Sequence, residues 1–197
     1  MLEKDKFLEK INSLIVVFLV FFPMHLDAAN IESKLLKYNN KLQNTSALFI
    51  QSSSRSIEEG VIYFGKERIK IDYLEPRKLT IIISEKKGVY IDHDLEESQY
   101  FNSNKSYVRV FFKIFNSNNS IDKLNIEVSN NLIKINEIIE IEDNTYKINF
   151  IYENNPIILR KIIVVENNES FELGLFNHEN TDKFHKNFFS MVDPYLN

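Results

Sequence analysis

The sequence has 197 residues, 44% of them hydrophobic and 26% charged, and a net charge of −4. That length suits one domain behind a leader, and the balance excludes a disordered or collagenous chain. The small negative charge excludes the basic footprint of a nucleic-acid-binding domain.

Lys4, Lys6 and Lys10 precede an unbroken apolar run over residues 14–22, closed by Pro23. The run is too short to span a bilayer, which takes about 20 residues, and it fits the apolar region of an export signal. Ala28 and Ala29 offer a cleavage site. Residues 1–29 are thus expected to be a signal peptide and 30–197 a single exported domain, with an uncleaved N-terminal anchor as the alternative. The chain has no cysteine. An exported domain without disulfides must bury a core of its own, and without a cysteine it has no site for lipid attachment. The expected location is the periplasm, in soluble form.

Behind the leader, Asn30 reads as a helix N-cap, and Ile31, Leu35, Leu36, Tyr38 and Leu42 recur at helical spacing. Period-two alternation, the mark of strands with one dry face, then predicts a strand over 47–53. A hairpin of 60–64 and 68–73 follows, turning at Gly65, Lys66 and Glu67. Within it Arg68, Lys70 and Asp72 alternate with Ile69, Ile71 and Tyr73. Pro76 interrupts the pattern before strands at 79–84 and 89–92. The apolar cluster of 108–115 suits a short buried helix or a strand, and the polar runs on both sides favour the helix. Strands return at 124–128, 132–140, 145–152, 157–166 and 170–177. Asn130-Asn131, Asp143-Asn144, Asn154-Asn155 and Asn167-Asn168 punctuate them as turns. Residues 182–189 read as a short turn or helix. The expected architecture is α+β and mainly antiparallel: one strongly curved half-barrel sheet with helices covering its concave side.

That order of elements resembles the outer-membrane lipoprotein carrier protein family, the LolA type. Ala47-Leu48-Phe49-Ile50-Gln51 is similar to the A-x-F-x-Q of its first strand, and Gly60-Val61-Ile62-Tyr63-Phe64 to its glycine-led second block. Arg68-Ile69-Lys70-Ile71-Asp72-Tyr73 with Pro76 resembles its basic-hydrophobic-acidic-Tyr strand and following proline. Asp92-His93-Asp94-Leu95-Glu96-Glu97 resembles its D-P-D-L-E-Q turn, here after Tyr90. Asn155-Pro156, Leu159, Leu173-Gly174-Leu175-Phe176-Asn177 and Asp193-Pro194 resemble its C-terminal half. The chain departs from the pattern in lacking the family's basic-Pro-Gly turn and its tryptophans. The resemblance implies a periplasmic chaperone that receives acylated lipoproteins from an inner-membrane exporter and delivers them to an outer-membrane receptor. It implies a monomer with no cofactor and no catalytic residues.

A soluble carrier of acyl chains must bury hydrocarbon, at about 0.8 kcal/mol per CH₂. A curved sheet offers one apolar face per strand. Candidates for that face are Phe49, Ile62, Phe64, Ile69, Ile71, Tyr73, Ile81, Ile83 and Tyr90, with Phe111 and Phe112 as a lid. Periodicity alone favours a filled core, since apolar strand faces usually pack on helices; the resemblance implies a cavity. In the family a basic residue near the third strand bonds to the lid, and here Lys66 or Arg68 is the candidate latch. His178, Asp182 and His185 have a spacing compatible with a metal but read as surface residues, and His93 has no evident partner. The chain has no Gly-x-Ser-x-Gly elbow or phosphate loop, so an enzyme is not expected. The rival readings are an outer-membrane receptor or a lipoprotein sensor of the same fold, and a structural envelope protein with a solid core.

Overall fold

The computed structural model describes residues 26–115, 124–167 and 169–196. The expected signal peptide lies outside them, apart from its last residues. The chain divides into two compact units, residues 1–34 and 35–197. Helix α1 (Leu26–Leu42) begins in the first and ends in the second. Asn30 is therefore inside a helix and not at its cap, because the preceding Leu26, Ala28 and Ala29 are strong helix formers that carry the helix back past the polar signal. Among the described residues no helix is long and apolar enough to cross a membrane.

The second unit is built on one antiparallel sheet of eleven strands that does not close. In chain order these are β1 (Thr45–Ser53), β2 (Ile57–Phe64), β3 (Arg68–Glu75), β4 (Leu79–Ser84), β5 (Gly88–Asp92) and β6 (Glu97–Phe101). A 3₁₀ turn (Ser103–Lys105) and helix α2 (Arg109–Phe115) follow. Then come β7 (Asn125–Ser129), β8 (Leu132–Ile141), β9 (Asn144–Asn154), β10 (Ile157–Glu166) and β11 (Glu169–Asn180). In space the order is β6-β5-β4-β3-β2-β1-β11-β10-β9-β8-β7. The first and last strands pair at the centre, and β6 and β7 are the edges. The segment joining those edges carries α2, so the topology puts a short helix where the sheet lies open. This is the expected half-barrel class.

The hairpin turns follow from local chemistry. Asn130 and Asn131 both take positive φ, 49° and 61°, in the two-residue loop between Ser129 and Leu132, which asparagine tolerates better than most residues. The next loop is Glu142-Asp143, one residue earlier than expected, with Glu142 at φ 54°. There the cross-strand pair of Ile141 with Asn144 keeps Asn144 in the ladder. Strand β6 was not expected. Its Glu-Ser-Gln-Tyr-Phe sequence has no clean alternation, and it is held by pairing with β5 and by the ring of Phe101, which covers Gly88.

The inner face is solid on one side. Ile133, Ile135, Ile148, Phe150, Tyr152, Leu159 and Ile162 on β8–β10 have no exposed surface. Tyr38 of α1 lies against them, on a helix that also buries Leu35 and Leu42. Tyr38 meets Tyr152 edge-on at 5.8 Å, and its hydroxyl accepts from the Leu159 N–H at 2.8 Å, at the bulge in β10. The outer face of β2–β5 is covered by the C-terminal segment, which forms turns and not a helix. Met191 packs on Ile82, Val89 and Ile91, with Phe189 and Tyr195 beside it.

Candidate functional site

Across β3–β6 the same inner face is hollow. A cavity of about 380 Å³ lies beneath the approach to α2, within the range of ligand pockets. Its floor comes from alternate residues of neighbouring strands, which the register brings side by side. Ile71 is opposite Ile81, and Ile81 is opposite Tyr90. Tyr73, Ile83 and Phe101 extend the floor, Phe171 and Leu173 of β11 form a side wall, and Tyr107, Val108 and Phe111 form the roof. Among the described residues no charged side chain lines it.

Two of the cavity's polar side chains, Gln51 and Tyr73, are hydrogen-bonded to each other. The Tyr73 hydroxyl donates to Gln51 Oε1 at 3.0 Å, and Gln51 Nε2 donates to Glu58 Oε2 at 2.7 Å. Burial, with Tyr107, Glu58 and Tyr90 nearby, pushes the Tyr73 phenol well up. Burial, with Tyr146 and Glu166 nearby, pushes the Tyr107 phenol up to about 12. Both stay neutral at physiological pH, so neither brings a charge into the cavity.

The roof is an aromatic cluster. Tyr107 lies 5.7 Å from Phe171 and 5.4 Å from Tyr146, ring to ring. Phe111 and Phe115 meet Phe150 edge-on at 5.7 and 5.6 Å, and Phe115 meets Phe64 at 5.4 Å. The side chain of buried Asn39 on α1 donates to the Ile114 carbonyl at 2.6 Å, tying the two helices together. Lys113 pairs with Glu137 at 2.8 Å, outside the cluster.

The candidate residues separate into three groups. Ile71, Tyr73, Ile81, Ile83, Tyr90 and Phe111 surround the cavity. Phe49 and Ile62 are packed interior instead. The Phe49 ring meets Tyr73 edge-on at 5.1 Å, and a Cβ on Gly60 would come within 2.8 Å of it. Ile62 has no exposed surface. Phe64, Ile69 and Phe112 border a second, larger hollow of about 920 Å³ at the rim, together with Lys66 and Arg68. Arg68 donates to the Phe189 carbonyl of the C-terminal segment, where the resemblance implied a lid carbonyl. The reason is local: the C-terminal segment crosses beside the β2–β3 turn so closely that a Cβ on Gly65 would come within 2.8 Å of the Phe189 ring.

Several lining residues were not among the candidates. Phe171 and Leu173 sit at alternate positions of a strand that was expected, so its period placed them on one face. Phe101 belongs to the unexpected β6, and Tyr107 precedes α2 in irregular chain. His178, Asp182 and His185 are not brought together, and no group of three potential metal ligands occurs among the described residues. His93 has partners after all: Thr80 Oγ1 at 2.9 Å from Nε2 and Tyr195 Oη at 2.8 Å from Nδ1.

No protein-family model matches the sequence. No curated protein matches it either. Among solved structures, an uncharacterized conserved protein from Thermus thermophilus superposes with a TM-score of 0.51 at 9% identity, over 80% of this chain and 90% of that one. A chain of the Pseudomonas aeruginosa MucA/MucB complex aligns with a TM-score of 0.45 at 8% identity, over 84% of this chain but 61% of that one. LprF from Mycobacterium bovis aligns with a TM-score of 0.35 at 8% identity, over 77% and 93%. What this chain shares with the Thermus protein is its fold.

Proposed function

We propose that this protein is a periplasmic chaperone. It holds the acyl chains of lipoproteins released from the inner membrane and carries them to the outer membrane, without catalysing a reaction. One observation carries the reading: the cavity under α2 is walled by Ile71, Ile81, Ile83, Phe111 and Leu173, with no charged side chain among the described residues that line it. Hydrocarbon needs volume and no hydrogen-bond partners. Each CH₂ withdrawn from water contributes about 0.8 kcal/mol, so even part of one chain is held against water. A solid-core structural protein would have no use for such a space. Several chains require more room than the cavity offers, so the reading includes movement of α2 away from the sheet.

The test is release of cargo. The protein is incubated with inner membranes carrying triacylated lipoprotein and their exporter. A soluble complex of protein and cargo is the expected result, and absence of any such complex overturns the reading. Ile81→Trp, which fills the cavity from the floor, should abolish complex formation while leaving the melting temperature within a few degrees. Undiminished uptake by this variant would place the chains elsewhere.

A further inference from the structure

We propose that the rim hollow is a headgroup site for an anionic group, carboxylate or phosphate, attached to the chain that the inner cavity holds; this rests on the acyl-binding reading above. The hollow is enclosed by the end of α1, by α2 and by the β2–β3 and β4–β5 turns. Among the described residues four cations border it, Lys66, Arg68, Lys86 and Lys87, against two carboxylates, Glu67 and Glu85. Arg68 reaches a neutral carbonyl, so the excess positive charge at the rim is not cancelled by that bond.

The floor between these charges is apolar, formed by Leu42, Phe64, Ile69 and Phe115. A free inorganic anion gains nothing from such a floor, whereas an anion on a hydrocarbon stem does. The two spaces adjoin. Ile69 borders the rim hollow, and its cross-strand partner Ile83 borders the inner cavity. Phe112 and Phe111, adjacent on α2, divide in the same way. A chain entering at the rim passes one cross-strand pair to reach the inner cavity.

Asn39 adds a third requirement. It borders the hollow with 1% of its surface exposed, and while its Nδ2 is bonded to Ile114, its Oδ1 is buried without a partner. Buried acceptors are ordinarily satisfied, and this one calls for a donor. The ligand class that meets all three conditions is an acyl amphiphile with an anionic group and a neighbouring O–H or N–H, such as an acylglycerol phosphate.

The experiment measures calorimetric affinities of the full chain for four probes: a monoacylglycerol phosphate, the monoacylglycerol of the same chain, the matching alkyltrimethylammonium, and inorganic phosphate. The expected order is phosphate-bearing amphiphile first, by about fivefold over the neutral one as exposed ion pairs allow, with the cationic amphiphile last. High salt should shrink that ratio. In K86E/K87E, exposed on the β4–β5 turn, the ratio should fall to one or below. K86Q/K87Q gives the same reading without charge reversal, should the first variant fold poorly. Equal affinity for neutral and anionic amphiphiles overturns the headgroup site and leaves the acyl reading standing. Inorganic phosphate binding as tightly as the amphiphile overturns the joined arrangement. If no amphiphile binds at all, both readings fall.

Discussion

Ile71 is where the hollow reading is most exposed to test. Its side chain is 7% exposed and borders the cavity, between Ile62 on one neighbouring strand and Ile81 on the other. A carboxylate there has empty space beside it into which water can follow, so Ile71→Glu should keep the fold. The cost of a charge in an apolar site, several kcal/mol when unpaired, then falls on the bound chain. Affinity for a fluorescent fatty acid should drop at least about tenfold, or roughly 1.4 kcal/mol, with an unchanged circular dichroism spectrum. Unfolding would place Ile71 in packed core. Asp92 shows how residues that carry a resemblance have a physical basis. Its buried carboxylate accepts the backbone N–H groups of Asp94 and Leu95, each at 3.0 Å, and pairs with Arg77. The acidic turn motif was readable because the turn needs that acceptor. The bond from Arg68 to Phe189 and that between His93 and Tyr195 were not readable, since they reach 121 and 102 residues along the chain into a segment without periodicity.

In the proposed carrier, helix α2 is the element on which loading turns. It has seven residues, too few to be stable alone, and it is held by its rings on Phe150 and Phe64 and by the Asn39 bond to Ile114. Asn39→Ala removes that buried bond, worth about 1–2 kcal/mol, from the closed position of the helix. Bound fatty acid should dissociate about tenfold faster in stopped-flow displacement, and an unchanged rate would show that α2 does not move for exchange. The apolar density of 108–115 made this helix legible. Strand β6 was not, because an edge strand with polar residues gains its order from the neighbour it pairs with and not from its own pattern. The start of α1 was missed for a related reason: a polar capping signal at Asn30 lost to the propensity of the residues before it.

At the scale of the whole second unit, buried phenols tie stability to alkaline pH. Tyr107 is raised from 10.0 to about 12, and Tyr38, Tyr73 and Tyr152 are raised too, in each case chiefly by burial. A phenol held neutral in the folded state stabilises fully below pH 10, and that contribution is lost as pH rises through the folded value. The melting temperature should therefore be insensitive to these groups up to pH 9 and fall between pH 10 and 12. Tyr107→Phe should reduce the fall, and an identical profile in the variant would remove Tyr107 from the account. The unit also resolves the choice between filled core and cavity, since each holds in a different part of the sheet. Over β8–β10 the inner face is plugged by α1 and aromatic rings; over β3–β6 it is not. Strand periods, most of the turns, the short helix and hence the class of fold were legible in the order of residues, because those depend on neighbours a few positions apart. Whether an inward isoleucine meets a helix or empty space is a long-range matter. It depends on where α1 and α2 cross the sheet, and alternation along a strand is the same in both cases.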